Sequence, residues 1–268
     1  MRPSLLLFSS LFTASLFSGC ASEGPDGDED DLAGVDTDGD GLSDAEEADL
    51  GTDPGRSDSD GDGYSDYDEV VEGSDPTDPD SRIYIGGWPY NPDKDPDGAP
   101  GWDSVAGEGA TLPYYTALDQ HGEEVHLYDF AGHGRPVVLD MGTKWCTPCK
   151  GMAAYLSTGD TASVEEYAWW DSEYEGLYDL VANEEIYWVT VLFSTSESSG
   201  PATVADAAEW DEAYPNPNIP VLVDDTLLLH AYIDVQSFPV LNLLDEDMTL
   251  LIYDDSGPYG VLREIPNL

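Results

Sequence analysis

Cys146 and Cys149 are separated by Thr147 and Pro148, a spacing that suits thiol redox chemistry. A helix that begins at Cys146 puts this thiol at its N-terminus and Cys149 one turn inside. Unpaired N–H groups and the helix dipole then favour the Cys146 thiolate, which is the nucleophilic form. Cys149, close by and shielded, is placed to resolve the mixed disulfide. Pro148 narrows the freedom of the loop, Trp145 precedes it, and Lys144 and Lys150 bring it positive charge. The same pair also reads as half of a zinc site or as a permanent staple. Against zinc, there is no second Cys-x-x-Cys, and His121, His126, His133 and His230 lack ligand spacing. Against a staple, closing so short a loop restricts the unfolded chain little.

A second chemistry lies upstream. Asp36-Thr37-Asp38-Gly39-Asp40-Gly41-Leu42-Ser43-Asp44-Ala45-Glu46-Glu47 recurs 22 residues later as Asp58-Ser59-Asp60-Gly61-Asp62-Gly63-Tyr64-Ser65-Asp66-Tyr67-Asp68-Glu69. Calcium prefers about six to eight oxygen ligands, and loops of this pattern wrap them around one point. Asp36, Asp38 and Asp40, and likewise Asp58, Asp60 and Asp62, supply the first carboxylates. Gly41 and Gly63 permit the sharp turn, Leu42 and Tyr64 offer carbonyls, and Asp44 and Asp66 offer an oxygen or a water. Glu47 and Glu69 can close each site in bidentate fashion. An acidic solvated tail is the competing reading, against which stand two copies in register.

Periodicity predicts the elements that must position these groups. Thr111 to Leu127 reads as two short strands around His121-Gly122. Pro136 to Met141 and Ile186 to Thr195 are apolar, buried-type strands. A helix follows Cys146, a long aromatic-rich helical stretch, with Gly176 as a candidate break, is expected over 161–185, and an Ala-rich helix over 201–214. A short strand at 219–223 and a short helix at 226–232 come next. Val240 to Leu244 and Thr249 to Tyr253 pair as a hairpin, and a last helix covers 259–264. This alternation argues for α/β. Tyr167, Trp169, Trp170, Tyr174 and Tyr178 read as packing, with docking of a peptide or a heme apoprotein as the alternative.

Trp145-Cys146-Thr147-Pro148-Cys149-Lys150 after an apolar strand resembles thioredoxin. The Gly122–Phe130 segment is similar to the redoxin branch typified by TlpA and ResA, which are membrane-tethered periplasmic thiol-disulfide oxidoreductases. The resemblance runs from about residue 107 to 268. It implies a thioredoxin-like fold, with a central mixed sheet flanked by helices, and no organic cofactor. It also implies that Pro239, after Ser237-Phe238, is cis and faces the dithiol, and that Asp140 is a buried proton-shuttling carboxylate. Met141-Gly142-Thr143-Lys144 replace the aromatic residues usual before the dithiol. A peroxiredoxin-like peroxidase is the neighbouring chemistry; Thr143 fits its loop, but Leu139 stands where that loop has proline. The acidic repeats resemble bacterial thrombospondin type-3 calcium repeats, each trailed by a Gly-x-Asp-Pro element (Gly51–Pro54 and Gly73–Pro76). That resemblance implies a calcium-stiffened spacer.

The chain has 268 residues, 8 basic against 57 acidic, and a formal net charge of −49. A nucleic-acid surface is excluded, because phosphate binding needs a basic patch. At the N-terminus an apolar run ends in Leu16-Phe17-Ser18-Gly19-Cys20, which resembles a bacterial lipobox. The resemblance implies a lipidated Cys20 and, with Ala21 next, outer-membrane anchoring; a plain secretory signal is the alternative. The expected organisation is a signal peptide at 1–20, an acidic tether at 21–35 and two calcium repeats at 36–80. A linker at 81–105, whose Trp88-Pro89-Tyr90 is expected to pack back onto the next domain, and a thioredoxin-like domain at 106–268 complete it. The expected protein is an envelope lipoprotein on the periplasmic face or cell surface. It reduces or exchanges disulfides in exported proteins, drawing on a membrane electron donor, and carries two calcium sites. The rival is a calcium-dependent surface or adhesion lipoprotein whose thioredoxin-like module only binds.

Overall fold

The computed structural model describes residues 34–79, 81–194 and 200–268. Cys20, the apolar leader and most of the expected 21–35 tether lie outside the described residues. Among those residues, no helix is long and apolar enough to cross a membrane.

Each acidic repeat ends in a seven-residue helix, α1 (Asp44–Leu50) and α2 (Asp66–Glu72). Ser43 accepts from the Glu46 N–H, and the Glu46 carboxylate accepts in return from the Ser43 N–H. Ser65 caps α2 by accepting from the Asp68 N–H. Gly51 and Gly73 stop both helices in the left-handed conformation, as helix C-termini commonly do.

The rest of the chain builds one sheet. Its strands are β1 (Thr116–Leu118), β2 (Glu124–His126), β3 (Val137–Gly142), β4 (Tyr187–Leu192), β5 (Val221–Val223), β6 (Val240–Leu244) and β7 (Leu250–Ile252). Their order is β2-β1-β5-β4-β3-β6-β7. β3, β4 and β5 are mutually parallel, and the two hairpins β1–β2 and β6–β7 flank them antiparallel. The helices are α3 (Thr147–Thr158), α4 (Leu177–Ala182), α5 (Val204–Ala213), α6 (Leu228–Ile233) and α7 (Tyr259–Glu264). Every residue of β3 and β4 is buried, which suits parallel strands covered on both faces. This mixed sheet flanked by helices is the expected thioredoxin-like architecture.

Strand alternation sorts β3 between two cores. Val137, Leu139 and Met141 join Val189, Val191, Phe130 and Leu250 on one side. Val138 faces the other, with Met152, Tyr155 and Leu156 of α3, Leu177 and Val181 of α4, and Val261 and Leu262 of α7. A third, smaller cluster gathers Cys146 and Cys149 with Leu192, Ala207, Trp210, Val221 and Val223.

One expectation needs correction. The long helix over 161–185 does not form; only short 3-10 turns at Thr161–Ser163 and Ser172–Tyr174 precede α4. Asp160 and Asp171 accept hydrogen bonds from the backbone two residues on, and so offer the chain turns in place of helix. The linker segment packs onto the sheet along much of its length, its Trp88-Pro89-Tyr90 stretch included. Tyr84, Trp88 and Tyr90 are buried, Tyr84 and Trp88 belong to the first core, and Trp102 meets Tyr115 and Tyr232 edge to face.

Candidate functional site

β3 ends at Gly142 and α3 begins at Thr147, so the turn between them delivers Cys146 to the N-cap of α3. Cys146 and Cys149 are joined as a disulfide and both are buried. The Cys149 N–H donates to Cys146 Sγ at 3.1 Å, which is the helix-end contact that favours a thiolate on reduction. Pro148 sits in the first turn, where its missing N–H removes no helix bond.

A methyl group on Gly142 would touch Cys149 Cβ and Sγ at 3.5 Å, so this face of β3 looks toward Cys149. Asp140 lies two residues earlier on the same face, between Gly142 and Val138, beneath the helix that carries the dithiol. Its carboxylate is buried. Trp188 Nε1 donates to Oδ2 at 3.3 Å and Thr190 Oγ1 at 3.5 Å, while Oδ1 has no partner among the described residues. Burial pushes the Asp140 carboxyl up to about 7, against the smaller opposing effect of those two hydrogen bonds. It is thus suited to take and release a proton near neutral pH.

The Phe238–Pro239 peptide bond is cis and Pro239 is buried at the start of β6. The Phe238 ring stands edge-on to Trp145, with centroids 5.3 Å apart, and packs against the cluster that holds both cysteines. The structure therefore brings Trp145, the dithiol and the proline loop together. The Trp145 indole N–H and the buried Thr143 hydroxyl have no partner among the described residues.

Lys144 departs from expectation. Its ammonium is held by Asp206 at 3.0 Å and by Glu209, both on α5, so its charge is neutralised locally. Lys150 forms no ion pair among the described residues, and its backbone N–H donates to the Cys146 carbonyl at 3.1 Å. Sequence reasoning missed Phe238, Asp206 and Glu209 as neighbours of the site. The Phe-Pro pair was visible; the two acids lay too far along the chain for any spacing to tie them to Lys144.

In the acidic repeats, Asp36, Asp38 and Asp40 bring carboxylate oxygens within 4.8 Å of one another, as do Asp58, Asp60 and Asp62. Each first aspartate is fixed by its loop: Asp36 accepts from the Gly39 N–H at 2.7 Å, and Asp58 accepts from the Gly61 N–H at 2.6 Å and through its other oxygen from the Gly63 N–H at 3.2 Å. Gly41 and Gly63 adopt φ of 116° and 109°, which explains glycine at the sixth position. Leu42 is buried, and the Tyr64 hydroxyl donates to the Ile83 carbonyl. Asp44 and Asp66 use both oxygens on Thr37 and Ser59 respectively, closing each loop upon itself.

The donor set has an unmet need. Asp38 Oδ2, both oxygens of Glu47, Asp60 Oδ2 and Glu69 Oε2 are buried without a partner among the described residues. Burial, reinforced by neighbouring aspartates, pushes Glu47 and Glu69 each up to about 7. Buried carboxylates stripped of water and facing one another fit a bound cation, and an all-oxygen donor set fits calcium.

The family model described as Bacterial TSP3 repeat matches residues 36–54 and 58–79. No curated protein matches the chain. Among solved structures, it is similar to the pneumococcal exposed lipoprotein thioredoxin of Streptococcus pneumoniae, with 21% identity and a TM-score of 0.39, covering 58% of this chain and 99% of that one. It is similar to the thioredoxin domain of a thiol-disulfide oxidoreductase from Bacteroides vulgatus, with 19% identity and a TM-score of 0.38, covering 61% and 100%. A secreted disulfide oxidoreductase of Mycobacterium tuberculosis is 19% identical with a TM-score of 0.39, covering 57% and 96%.

Proposed function

We propose that this chain is an exported thiol-disulfide oxidoreductase, anchored to the envelope through Cys20 and carried on a calcium-binding stalk. The carrying observation is the juxtaposition at the start of α3: Cys146 at the N-cap, Cys149 within, Asp140 on the strand face beneath, and the Phe238-Pro239 loop packed alongside.

In the reducing direction the Cys146 thiolate attacks one sulfur of a substrate disulfide. A new S–S bond forms between Cys146 and that sulfur, and the second substrate sulfur leaves as thiolate. Cys149 then gives up its proton, for which Asp140 is the acceptor, and attacks Cys146 Sγ. The mixed disulfide breaks, the substrate leaves as a dithiol, and the protein retains the Cys146–Cys149 disulfide. Two electrons pass to the substrate, and an external dithiol donor in the membrane must restore them. The reverse sequence oxidises a substrate dithiol.

Residues 36–80 form the stalk. Asp36, Asp38, Asp40, Glu47 and the Leu42 carbonyl would hold one calcium ion, with Asp58, Asp60, Asp62, Glu69 and the Tyr64 carbonyl holding a second. Asp44 and Asp66 close the loops and reach the ion directly or through water. Calcium supplies positive charge that offsets carboxylate repulsion in a segment with little apolar surface of its own. Residues 81–105 join the stalk to a redox domain at 106–268 while seated upon it. Outer-membrane placement and exported disulfide-bearing partners follow from the lipobox resemblance.

Insulin reduction by dithiothreitol tests the reading. The full chain should accelerate it and Cys146→Ser should not. Equal rates with and without the chain would leave only a binding module.

A further inference from the structure

The segment between α3 and α4 carries the aromatic residues, and the structure divides them. Trp170 and Tyr178 pack around Tyr155, with Tyr174 against Trp170. Tyr167 turns toward the dithiol instead. Its hydroxyl donates to the carbonyl of Thr147, the residue after Cys146, at 3.1 Å. Its ring edge lies over Gly151 of α3, where a Cβ would come within 2.6 Å of the ring and of the Ser163 carbonyl. The segment is therefore seated closely on the helix that carries the cysteines. Trp169 stacks on Tyr167 with centroids 5.2 Å apart and planes 6° from parallel, and a second contact, edge-on to Trp170 at 6.3 Å, ties the pair to the packed rings. Both rings remain partly exposed.

The charge around this pair is mostly negative, opposed by Lys150 beside Gly151, which forms no ion pair among the described residues. Glu165 and Glu166 are exposed in the same segment. Lys144, which precedes the dithiol, is already neutralised by Asp206 and Glu209. Paired aromatic faces beside carboxylates attract a Lys or Arg side chain, through the ring quadrupole and the field together. An acidic partner meets repulsion both here and from a chain of net charge −49.

We propose that Tyr167 and Trp169 form a docking ledge for a disulfide-bearing polypeptide segment with Lys or Arg next to its cysteine. The inference rests on the redox reading of Cys146 and Cys149 and names the substrate class that site prefers. A cationic side chain lies on the stacked rings, Glu165 and Glu166 steer it there, and the neighbouring substrate sulfur is presented to Cys146. Tyr167 also positions the Cys-x-x-Cys turn through its bond to Thr147.

The test uses the full chain and three probes: two cyclic disulfide peptides, one flanked by Lys and one by Asp, and a small neutral aromatic disulfide. The Lys-flanked peptide should be reduced with a kcat/KM about tenfold or more above that of the Asp-flanked one at low salt, the gap narrowing to about threefold or less near 0.5 M salt. Trp169→Ala should lower the ratio of the two peptides by about fivefold, and Trp169→Phe should retain most of it. Because the readout is a ratio, a loss common to both peptides cancels. Equal rates on the two peptides, or a ratio that Trp169→Ala leaves unmoved, would overturn the ledge while turnover of the small disulfide upholds the redox reading. No turnover of any probe would remove the redox reading and the ledge with it.

Discussion

The Tyr84 hydroxyl donates a 2.6 Å hydrogen bond to Asp129, a carboxylate with no solvent exposure. The other Asp129 oxygen accepts from Lys94 Nζ at 2.8 Å and from the Asn91 N–H at 3.3 Å. A second buried carboxylate repeats the arrangement, since Trp88 Nε1 donates to Asp119 at 2.9 Å. The Ile85 N–H adds a bond to Glu123 at 2.6 Å. The chain leaving the acidic repeats is thus fastened to the β1–β2 side of the sheet before the redox elements begin.

This fastening has a measurable energy. Trp88→Ala should destabilise the full chain by about 3 to 5 kcal/mol, the usual range for deleting a large buried aromatic side chain. Tyr84→Phe should cost about 1 to 3 kcal/mol, because it takes a hydrogen bond from a buried carboxylate. Urea unfolding reads both. Unchanged midpoints would make residues 82–102 a passive connector.

Asp140 predicts a pH dependence of stability. Its folded-state value is raised to about 7 by burial, above the ordinary aspartate value. Between about pH 4 and pH 7 the folded chain therefore holds a proton that the unfolded chain has released, and stability falls as pH climbs through that window. Asp140→Asn removes this fall, which is at most about 4 kcal/mol. The variant should match the parent near pH 4, within about 1 kcal/mol, and exceed it near pH 8. It should also slow release of the mixed disulfide. Parallel stability curves for the two proteins would refute this role.

The two candidate sites were legible in the sequence because each is local. Asp36 to Glu47 and its copy carry their carboxylates within one loop, and Cys146 and Cys149 lie within one turn. The strands β3 and β4 were legible because burial on both faces demands continuous apolar residues. What escaped was long-range or competitive. Trp88 is expected to pack onto the domain, but nothing local in its Pro/Gly/Asp-rich stretch reveals that Asp119 awaits it, or that Asp129 awaits Tyr84. Lys144 looked free until α5 brought Asp206 and Glu209 beside it. The 161–185 stretch has helix-compatible residues, but Asp160 and Asp171 divert the backbone into turns.

Calcium should bind through the buried glutamates. Calorimetry on the full chain should find two sites, with dissociation constants of about 10⁻⁴ to 10⁻³ M if they behave as extracellular modules do. At about 1 mM calcium and a constant near 0.1 mM, each site adds about 1.4 kcal/mol to the stalk. Glu47→Gln and Glu69→Gln should each weaken one site about tenfold or more, and together should remove calcium-dependent protection of residues 36–79 from proteolysis. Undiminished binding in the double variant would mean that these carboxylates do not hold the ion.

The central claim is that Cys146 attacks and Cys149 resolves, and trapping tests it most directly. The full chain carrying Cys149→Ser, reduced and then mixed with a disulfide-containing protein, should accumulate a mixed disulfide. Mass spectrometry should place that bond on Cys146, and Cys146→Ser should accumulate none. Equal trapping by both variants would contradict the assignment of roles, and no trapping by either would contradict the oxidoreductase itself.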